Sequence, residues 1–194
     1  MQSGKTQFIK LILHPVKFRM FLFSKLPGAF FSGIAVKEFD AEKAIVTIPY
    51  KWFTQNPFGS TYFACLAMAA EMSTGLLAMM CTYKSNPPIS MLVTGLEASY
   101  FKKAIGVTTF TCLQGMIIYQ CIEEAIKTGN GTSIKVTSTG KNQFIKLILH
   151  PVKFRMFLFS KLPSAFFSGV AVKEIDLEKA IVTISYKWFT KKSF

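Results

Sequence analysis

The chain has 194 residues, of which 51% are hydrophobic and 14% aromatic, and it carries a formal net charge of +13. This length allows one well-buried core, and the high apolar content excludes an intrinsically disordered protein. A basic balance is typical of proteins that bind nucleic acid, an anionic membrane surface or an acidic small molecule. The lysines are scattered among aliphatic residues and no nucleic-acid motif is present, so nucleic acid is not an expected partner.

Local patterns predict the secondary structure in chain order. Apolar spacing, β-branched residues and turn signals predict a helix over 15–26, a hairpin of strands 33–40 and 43–52, a long central helix over about 57–83, strands over 91–102 and 107–112, a helix over 116–128 and a strand over 132–138. This order predicts an α+β fold in which one antiparallel sheet wraps around one helix.

A long internal duplication organises the chain, because residues 7–54 recur as residues 143–190. The two copies differ at Gly28/Ser164, Ile34/Val170, Phe39/Ile175, Ala41/Leu177 and Pro49/Ser185. Solenoids need at least three stacked short units, so this is not a solenoid. We predict one domain over residues 1–140, and a partial repeat of residues 5–58 over 141–194 that duplicates the N-terminal helix and hairpin.

The apolar segment 59–83 is long enough to span a bilayer. Glu71 lies at its centre, however, and a carboxylate at mid-bilayer is costly. A helix wrapped by a sheet is also apolar on nearly every face. We therefore expect a buried core helix, and because basic residues such as Lys10 interrupt the apolar N-terminal run, we expect no secretory signal and a cytoplasmic protein.

The cysteines predict neither a metal site nor a redox cofactor. They lie in apolar stretches, form no CxxC pair and have no nearby histidine; they are Cys65, Cys81, Cys112 and Cys121. Such residues are typical small buried hydrophobes. We therefore predict no bound metal and no cofactor.

The start of the central helix is the best candidate for a functional site. Asn56 and Ser60 are able helix caps, and the exposed amides of a helix start can polarise a carbonyl oxygen. Burial should raise the pKa of Glu71, as is common for a general base or acid. Fifteen residues separate Asn56 from Glu71, which is about 22 Å of helix. The two would then meet only across a dimer with antiparallel central helices.

The segment N-P-F-G-S-T-Y-F-A, followed by Glu71, resembles the hotdog-fold acyl-CoA thioesterases of the phenylacetyl-CoA thioesterase type. Their pattern is an Asn, a Gly three residues on, a His-Gly-Gly three further, and an Asp or Glu fifteen after the Asn. The chain is most similar to a branch of small, uncharacterised bacterial hotdog proteins with NPFG-x-x-YF at this place. The resemblance covers about residues 15–140.

The resemblance implies roles for individual residues. Glu71 matches the carboxylate that activates water or attacks the thioester. Asn56 matches the residue that orients the carbonyl or the water, and Gly59 matches the glycine of the family pattern. The His-Gly-Gly of the family is replaced by Tyr62, Phe63 and Ala64, which would bind substrate. The amides near Tyr62 and Phe63 would be the oxyanion donors. This departure adds side chains where glycine allows close approach.

The implied activity is hydrolysis of an acyl-CoA-like thioester by a homodimer or homotetramer with its site at the subunit interface. A rival reading is a non-catalytic acyl-binding or structural hotdog protein, which the missing His-Gly-Gly favours. A third is a peripheral membrane protein that uses the basic aromatic helices 15–26 and 151–162. We do not expect a membrane surface among the partners.

The second copy leaves three arrangements open. Hotdog proteins end in one more strand, and 169–174 or 180–190 could take that place. The second copy could instead exchange with the first copy of a partner chain. It could also remain unpacked, which would favour aggregation.

Overall fold

The computed structural model describes residues 2–142 and 180–190. The elements in chain order are α1 (Gln2–Leu13), α2 (Pro15–Lys25), α3 (Pro27–Ser32), β1 (Ala35–Phe39), β2 (Ala44–Ile48), a 3₁₀ turn (Trp52–Thr54), α4 (Phe63–Thr82), β3 (Ile89–Ser99), β4 (Thr108–Cys112), α5 (Gly115–Thr128), β5 (Thr132–Asn142) and β6 (Ala180–Thr190). The predicted strand 169–174 and second-copy helix 151–162 lie outside the described residues.

The described strands form one antiparallel sheet in the order β1-β2-β4-β5-β6-β3. Helix α4 packs across its inner face, where side chains such as Leu77, Phe110 and Ile184 are fully buried. The predicted α+β hotdog architecture, with a sheet around a central helix, is confirmed. Helices α1 and α3 were not predicted, and β5 runs four residues beyond the predicted end at residue 138.

Strand β6 repeats the sequence of β2 and its extension but has a different structure. Residues 44–54 form a five-residue strand followed by the 3₁₀ turn, whereas the copy at 180–190 is one continuous strand. The copies differ only at Pro49 and Ser185. Proline lacks the N–H that a strand interior needs, so β2 ends at Ile48 whereas β6 continues.

The place of β6 in the sheet changes the environment of identical side chains. Residues 181–190 pair with β3, and residues 180–188 also pair with β5. Trp188 is therefore completely buried, while Trp52, its counterpart in the first copy, is 82% exposed. Of the arrangements left open by the sequence, the structure shows strand 180–190 inside the sheet of its own chain.

The central helix begins later than predicted. Helix α4 starts at Phe63 rather than near residue 57, and its N-cap position is Tyr62. The Asn56 carboxamide Oδ1 accepts hydrogen bonds from the amides of Phe58 (3.0 Å) and Ser60 (3.2 Å). Such local side-chain bonds compete with helix formation, so residues 56–60 form a turn before the helix.

Helix α4 is the one described helix that is long and apolar enough to cross a membrane. Its most apolar stretch is 67% buried inside the fold. Buried hydroxyls also anchor it to the sheet, because Ser73 Oγ lies 2.7 Å from Ser138 Oγ on β5. These contacts are those of a core helix.

We expect Gly115→Ala to destabilise the fold. A methyl group on Gly115 would overlap the carbonyl oxygen of Ala41 and would lie 2.8 Å from Cα of Glu42. These are backbone atoms that cannot turn away, so the free energy of unfolding should fall by about 1–3 kcal/mol. Urea unfolding measures this loss. Gly28→Ala is the matched control, because its methyl group would meet only Met68 Sδ at 3.8 Å; an equal loss in both variants would contradict the packing argument.

Candidate functional site

The carboxylate of Glu71 lies beside Gly75, one turn further along α4. A Cβ on Gly75 would be 2.6 Å from Glu71 Oε1 and 3.5 Å from the hydroxyl oxygen of Tyr186 on β6. The missing side chain therefore leaves room for both polar groups. Ala64 and Ala67 are also partly exposed, and with Glu71 they follow the spacing of one helix face.

The edge strand β3 forms the other side of this region. Val93 lies directly opposite Tyr186 and Leu96 opposite Ile184. Opposed residues of an antiparallel pair project from the same face of the sheet, so both point to the side of α4. Val93 is nevertheless 41% and Leu96 45% exposed, because α4 does not cover the edge strand.

These residues define a feature that we call the open groove. It lies beside α4 at the inner face of β3, where Glu71 is half-buried and Val93 and Leu96 are exposed. Val93 and Leu96 are its apolar residues, and Gly75 and the phenol of Tyr186 are buried behind the Glu71 carboxylate. Two surface cavities lie elsewhere: one of about 440 Å³ is lined by Thr111, Leu113, Gln114, Thr137, Thr139 and Lys141, and one of about 270 Å³ adjoins the end of α4.

Burial governs the electrostatics of the open groove. It raises the pKa of Glu71, and the ion pair found among the described residues joins Lys43 to Glu38 and leaves Glu71 without a cation. Burial, and then the charge of Glu71, raises the pKa of Tyr186 far above its usual value. Tyr186 therefore stays protonated at any physiological pH.

A short chain of hydrogen bonds holds Tyr186 against α4. Thr74 Oγ1 donates to the carbonyl oxygen of Glu71 at 2.9 Å and lies 2.6 Å from the hydroxyl of Tyr186. Because the threonine hydrogen is used on the helix, the tyrosine donates to threonine. Sequence reasoning missed Thr74 and Tyr186, since nothing in the second copy distinguishes Tyr186 from its half-buried counterpart Tyr50.

Asn56 organises the loop before α4 and does not cap the helix as predicted. Besides its Oδ1 bonds, its Nδ2 donates to Ser60 Oγ at 3.1 Å, and its amide donates to the carbonyl oxygen of Ser60 at 2.8 Å. Gly59 completes the turn with a positive φ of 69°, a conformation that glycine adopts without strain. Lys103 Nζ donates to the carbonyl of Phe58 at 3.1 Å and fixes the loop from outside.

The amides at the helix start divide into engaged and free groups. The amide of Tyr62 donates to the carbonyl of Thr54 at 2.7 Å, so it is not the free donor that the sequence suggested. The amides of Phe63 and Ala64 lie in the first helical turn and have no acceptor among the described residues. These two amides can donate to a bound acceptor.

The predicted separation of the site residues also changes. Because α4 begins at Phe63, eight residues rather than fifteen of helix precede Glu71, or about 12 Å. The free amides and the carboxylate of one chain are still too far apart to touch one reacting carbonyl. Asn56 precedes the helix and lies in the loop that is closed by the bridge between Gln55 and Thr61.

Among the described residues, no group of three histidine, cysteine or acidic side chains is placed to hold a metal ion. The described cysteines are free. Burial raises the pKa of the Cys81 thiol to about 11, and a thiol in that state is a poor nucleophile.

Comparison with known proteins identifies a matching family and structures of similar fold. The family model of a domain of unknown function, DUF4442, matches residues 17–139. No curated protein matches the chain.

Solved structures of several proteins are similar over nearly the whole chain. A protein of unknown function from Chlorobaculum tepidum has 16% identity and a TM-score of 0.62, and the match covers 93% of this chain and 99% of that one. A protein of unknown function and probable thioesterase from Pseudomonas aeruginosa has 15% identity, a TM-score of 0.61 and the same two coverages. A thioesterase family protein from Silicibacter pomeroyi has 10% identity, a TM-score of 0.52, and coverages of 90% and 98%.

At these identities the likeness shows a shared fold. The predicted resemblance to hotdog proteins is confirmed at that level. A family of unknown function also agrees with the predicted uncharacterised branch.

Proposed function

The chain belongs to the DUF4442 family, and we propose that it hydrolyses acyl thioesters in the open groove with Glu71 as general base or nucleophile. The observation that carries this proposal is a carboxylate of raised pKa beside an exposed apolar floor. A raised pKa gives a carboxylate the basicity that proton transfer near neutral pH needs. The names of the Pseudomonas and Silicibacter proteins, which share the fold, support the same reaction class.

As general base, Glu71 takes a proton from water, and the water oxygen attacks the carbonyl carbon of the thioester. The developing oxyanion accepts hydrogen bonds from the amides of Phe63 and Ala64. The carbon–sulfur bond then breaks, and the thiolate leaves and takes up a proton. As nucleophile, Glu71 would attack the same carbon and expel the thiolate, which takes up a proton from water. Water would then hydrolyse the resulting anhydride to the free acid and the Glu71 carboxylate.

We propose that a second subunit completes the site. The amides and Glu71 of one chain lie about 12 Å apart along α4. Among the described strands, the eleven-residue β3 lies at the edge of the sheet and pairs on one side only. Pairing of two β3 edges, with antiparallel α4 helices, would bring the helix start of one subunit to Glu71 of the other. A homodimer, or a homotetramer built from it, follows.

The proposed substrate is an acyl-CoA-like small molecule. The apolar floor of Val93 and Leu96 suits an acyl chain, and the net charge of +13 suits an acidic carrier. Asn56, Gly59 and the loop that they form would contact the substrate near the thioester. A cytoplasmic location, the absence of a cofactor and the division at residues 140/141 remain predictions.

A second candidate function is non-catalytic acyl binding. Tyr62 and Phe63 place two exposed rings, 4.9 Å apart and edge to face, at the helix start where the thioesterase pattern has glycine. Their bulk restricts approach to the free amides. A protein that binds acyl chains without turnover, equally in the wild type and in Glu71→Gln, would have this function.

The proposed function is tested by release of free thiol from a panel of acyl-CoAs of increasing chain length. We expect turnover by the wild type that depends on Glu71. Binding of the same acyl-CoAs by a well-folded oligomer, without thiol release, would replace the hydrolase with the acyl-binding protein.

The pH dependence of hydrolysis should follow the raised pKa of Glu71. The carboxylate is the active form, so kcat/KM should rise with pH through a midpoint above the usual value of a glutamate and fall as pH drops through it. The free energy of unfolding has the opposite trend, because the folded state binds the Glu71 proton more tightly than the unfolded state does. Protonated Glu71 therefore contributes its full stabilisation below the pKa of the unfolded state. This contribution is lost as pH rises through the pKa of the folded state. Rate profiles on a buffered series measure the midpoint, and a midpoint at or below the usual glutamate value would contradict the assignment.

A further inference from the structure

One face of α2 is apolar and points outwards. Val16, Met20 and Phe23 are 60%, 67% and 59% exposed. Their spacing of four and three residues places them on one side of the helix, at about 100° per residue. Phe18 and Leu22 lie on the opposite side and are buried. The helix is thus apolar on two faces, and only one of them belongs to the core.

Aromatic contacts extend this face across the surface. Phe23 packs on Phe30 at 5.2 Å, Phe30 on Phe31 at 5.3 Å, and Phe31 on Phe53 at 5.9 Å between ring centres. Trp52, next to Phe53, is 82% exposed. We name this continuous patch the docking face, and its exposed residues are Val16, Met20, Phe23, Phe31, Trp52 and Phe53.

Positive charge surrounds the docking face. Lys17 and Arg19 are exposed and lie on either flank of the apolar stripe of α2. The Arg19 guanidinium is 4.5 Å from the ring centre of Phe30. The first 37 residues contain six lysines and arginines and no acidic residue, so α1, α2 and α3 carry no carboxylate of their own.

We propose that the docking face binds the surface of a lipid bilayer that contains anionic phospholipid. Exposed aromatic and aliphatic side chains with cations on both flanks match the acyl boundary and the charged headgroups of such a surface. Exposed tryptophan suits the headgroup level. A second copy is disfavoured as the occupant, because two equally basic faces would repel each other.

This inference differs from the expectation that a membrane surface is not a partner. The sequence shows apolar and basic residues mixed over 15–26 but not which apolar side chains point outwards. The inference does not depend on thioester hydrolysis. The hydrogen bond from the Tyr62 amide to the Thr54 carbonyl joins the docking face to the start of α4, so a bound molecule would hold the site near the lipid.

Co-sedimentation of the full chain with vesicles tests the proposal. We expect binding to vesicles of equal parts phosphatidylcholine and phosphatidylglycerol, and little binding to phosphatidylcholine alone. The triple variant Val16→Ser, Met20→Ser, Phe23→Ser should lower the partition coefficient by about tenfold or more. The double variant Lys17→Gln, Arg19→Gln should lower it about 25-fold, or about fivefold for each cation. The substituted side chains are largely exposed, and thermal melting of each variant checks that it remains folded when binding is lost.

A matched control makes the test specific. Serine substitutions at Leu113, Met116 and Ile117, which are equally exposed around the start of α5, should leave vesicle binding unchanged. Equal binding to neutral vesicles, or a change in oligomeric mass without any vesicle binding, would each overturn the proposal.

Discussion

Glu71→Gln is expected to lower kcat/KM for acyl thioester hydrolysis by about 10²–10⁴-fold, the usual contribution of a general base. The amide cannot accept a proton or attack the carbonyl, yet it has nearly the shape of the carboxylate. The same substitution should not lower stability at neutral pH. Burial disfavours the charge of Glu71, as its raised pKa shows, and a neutral side chain removes that cost.

Kinetics and urea unfolding of the same protein separate the two effects. Glu97→Gln is the matched control: Glu97 is an exposed carboxylate on β3 opposite Thr183, on the outer side of the sheet. It should retain wild-type rates. Full activity in Glu71→Gln, or an equal loss in both variants, would contradict the assignment of Glu71.

Ser185→Pro is expected to destabilise the protein by about 2–4 kcal/mol. Ser185 lies opposite Lys135 on β5 and Gly95 on β3, in a strand that is paired on both sides. Proline would remove a donor and leave an acceptor in the sheet without its partner. Since β6 also carries the buried Tyr186 and Trp188, misplacing it would open the core beside Glu71.

Pro49→Ser is the reciprocal control for this experiment. It gives the first copy the residue of the second, at a position just beyond the end of β2, and should change stability little. Urea unfolding of both variants measures the difference. Equal stability of Ser185→Pro and the wild type would mean that β6 does not hold its place between β5 and β3.

The fold architecture could be predicted from the sequence because the patterns that indicate it extend over many residues. The apolar segment around Glu71, flanked by alternating strands, predicted a core helix under a sheet, and α4 has that place. Gly129 predicted the end of α5, where it adopts a positive φ of 71°. Such elements depend on patterns that are repeated over many residues and tolerate local ambiguity.

The sequence was insufficient where identical or polar residues had two possible structures. Residues 44–54 and 180–190 differ at one position, and Pro49 ends the strand in the first copy whereas the second copy continues through Ser185. No local pattern shows that the second copy lies between β5 and β3. Asn56 suits both a helix cap and a local turn, and its own side-chain bonds select the turn. The contact of Tyr186 with the site arises from strand order, which no local pattern records.

Subunit complementation tests the central claim, that Glu71 works in a groove completed by a second subunit, most directly. Asn56→Ala and Glu71→Gln would each be purified, mixed, unfolded together and refolded, and thiol release from an acyl-CoA would be measured. About half of the refolded dimers would be hybrids, and one of the two sites in each hybrid would have both native residues. The mixture should therefore recover about a quarter of wild-type activity. Activity that stays at the sum of the separate variants would contradict the interfacial site.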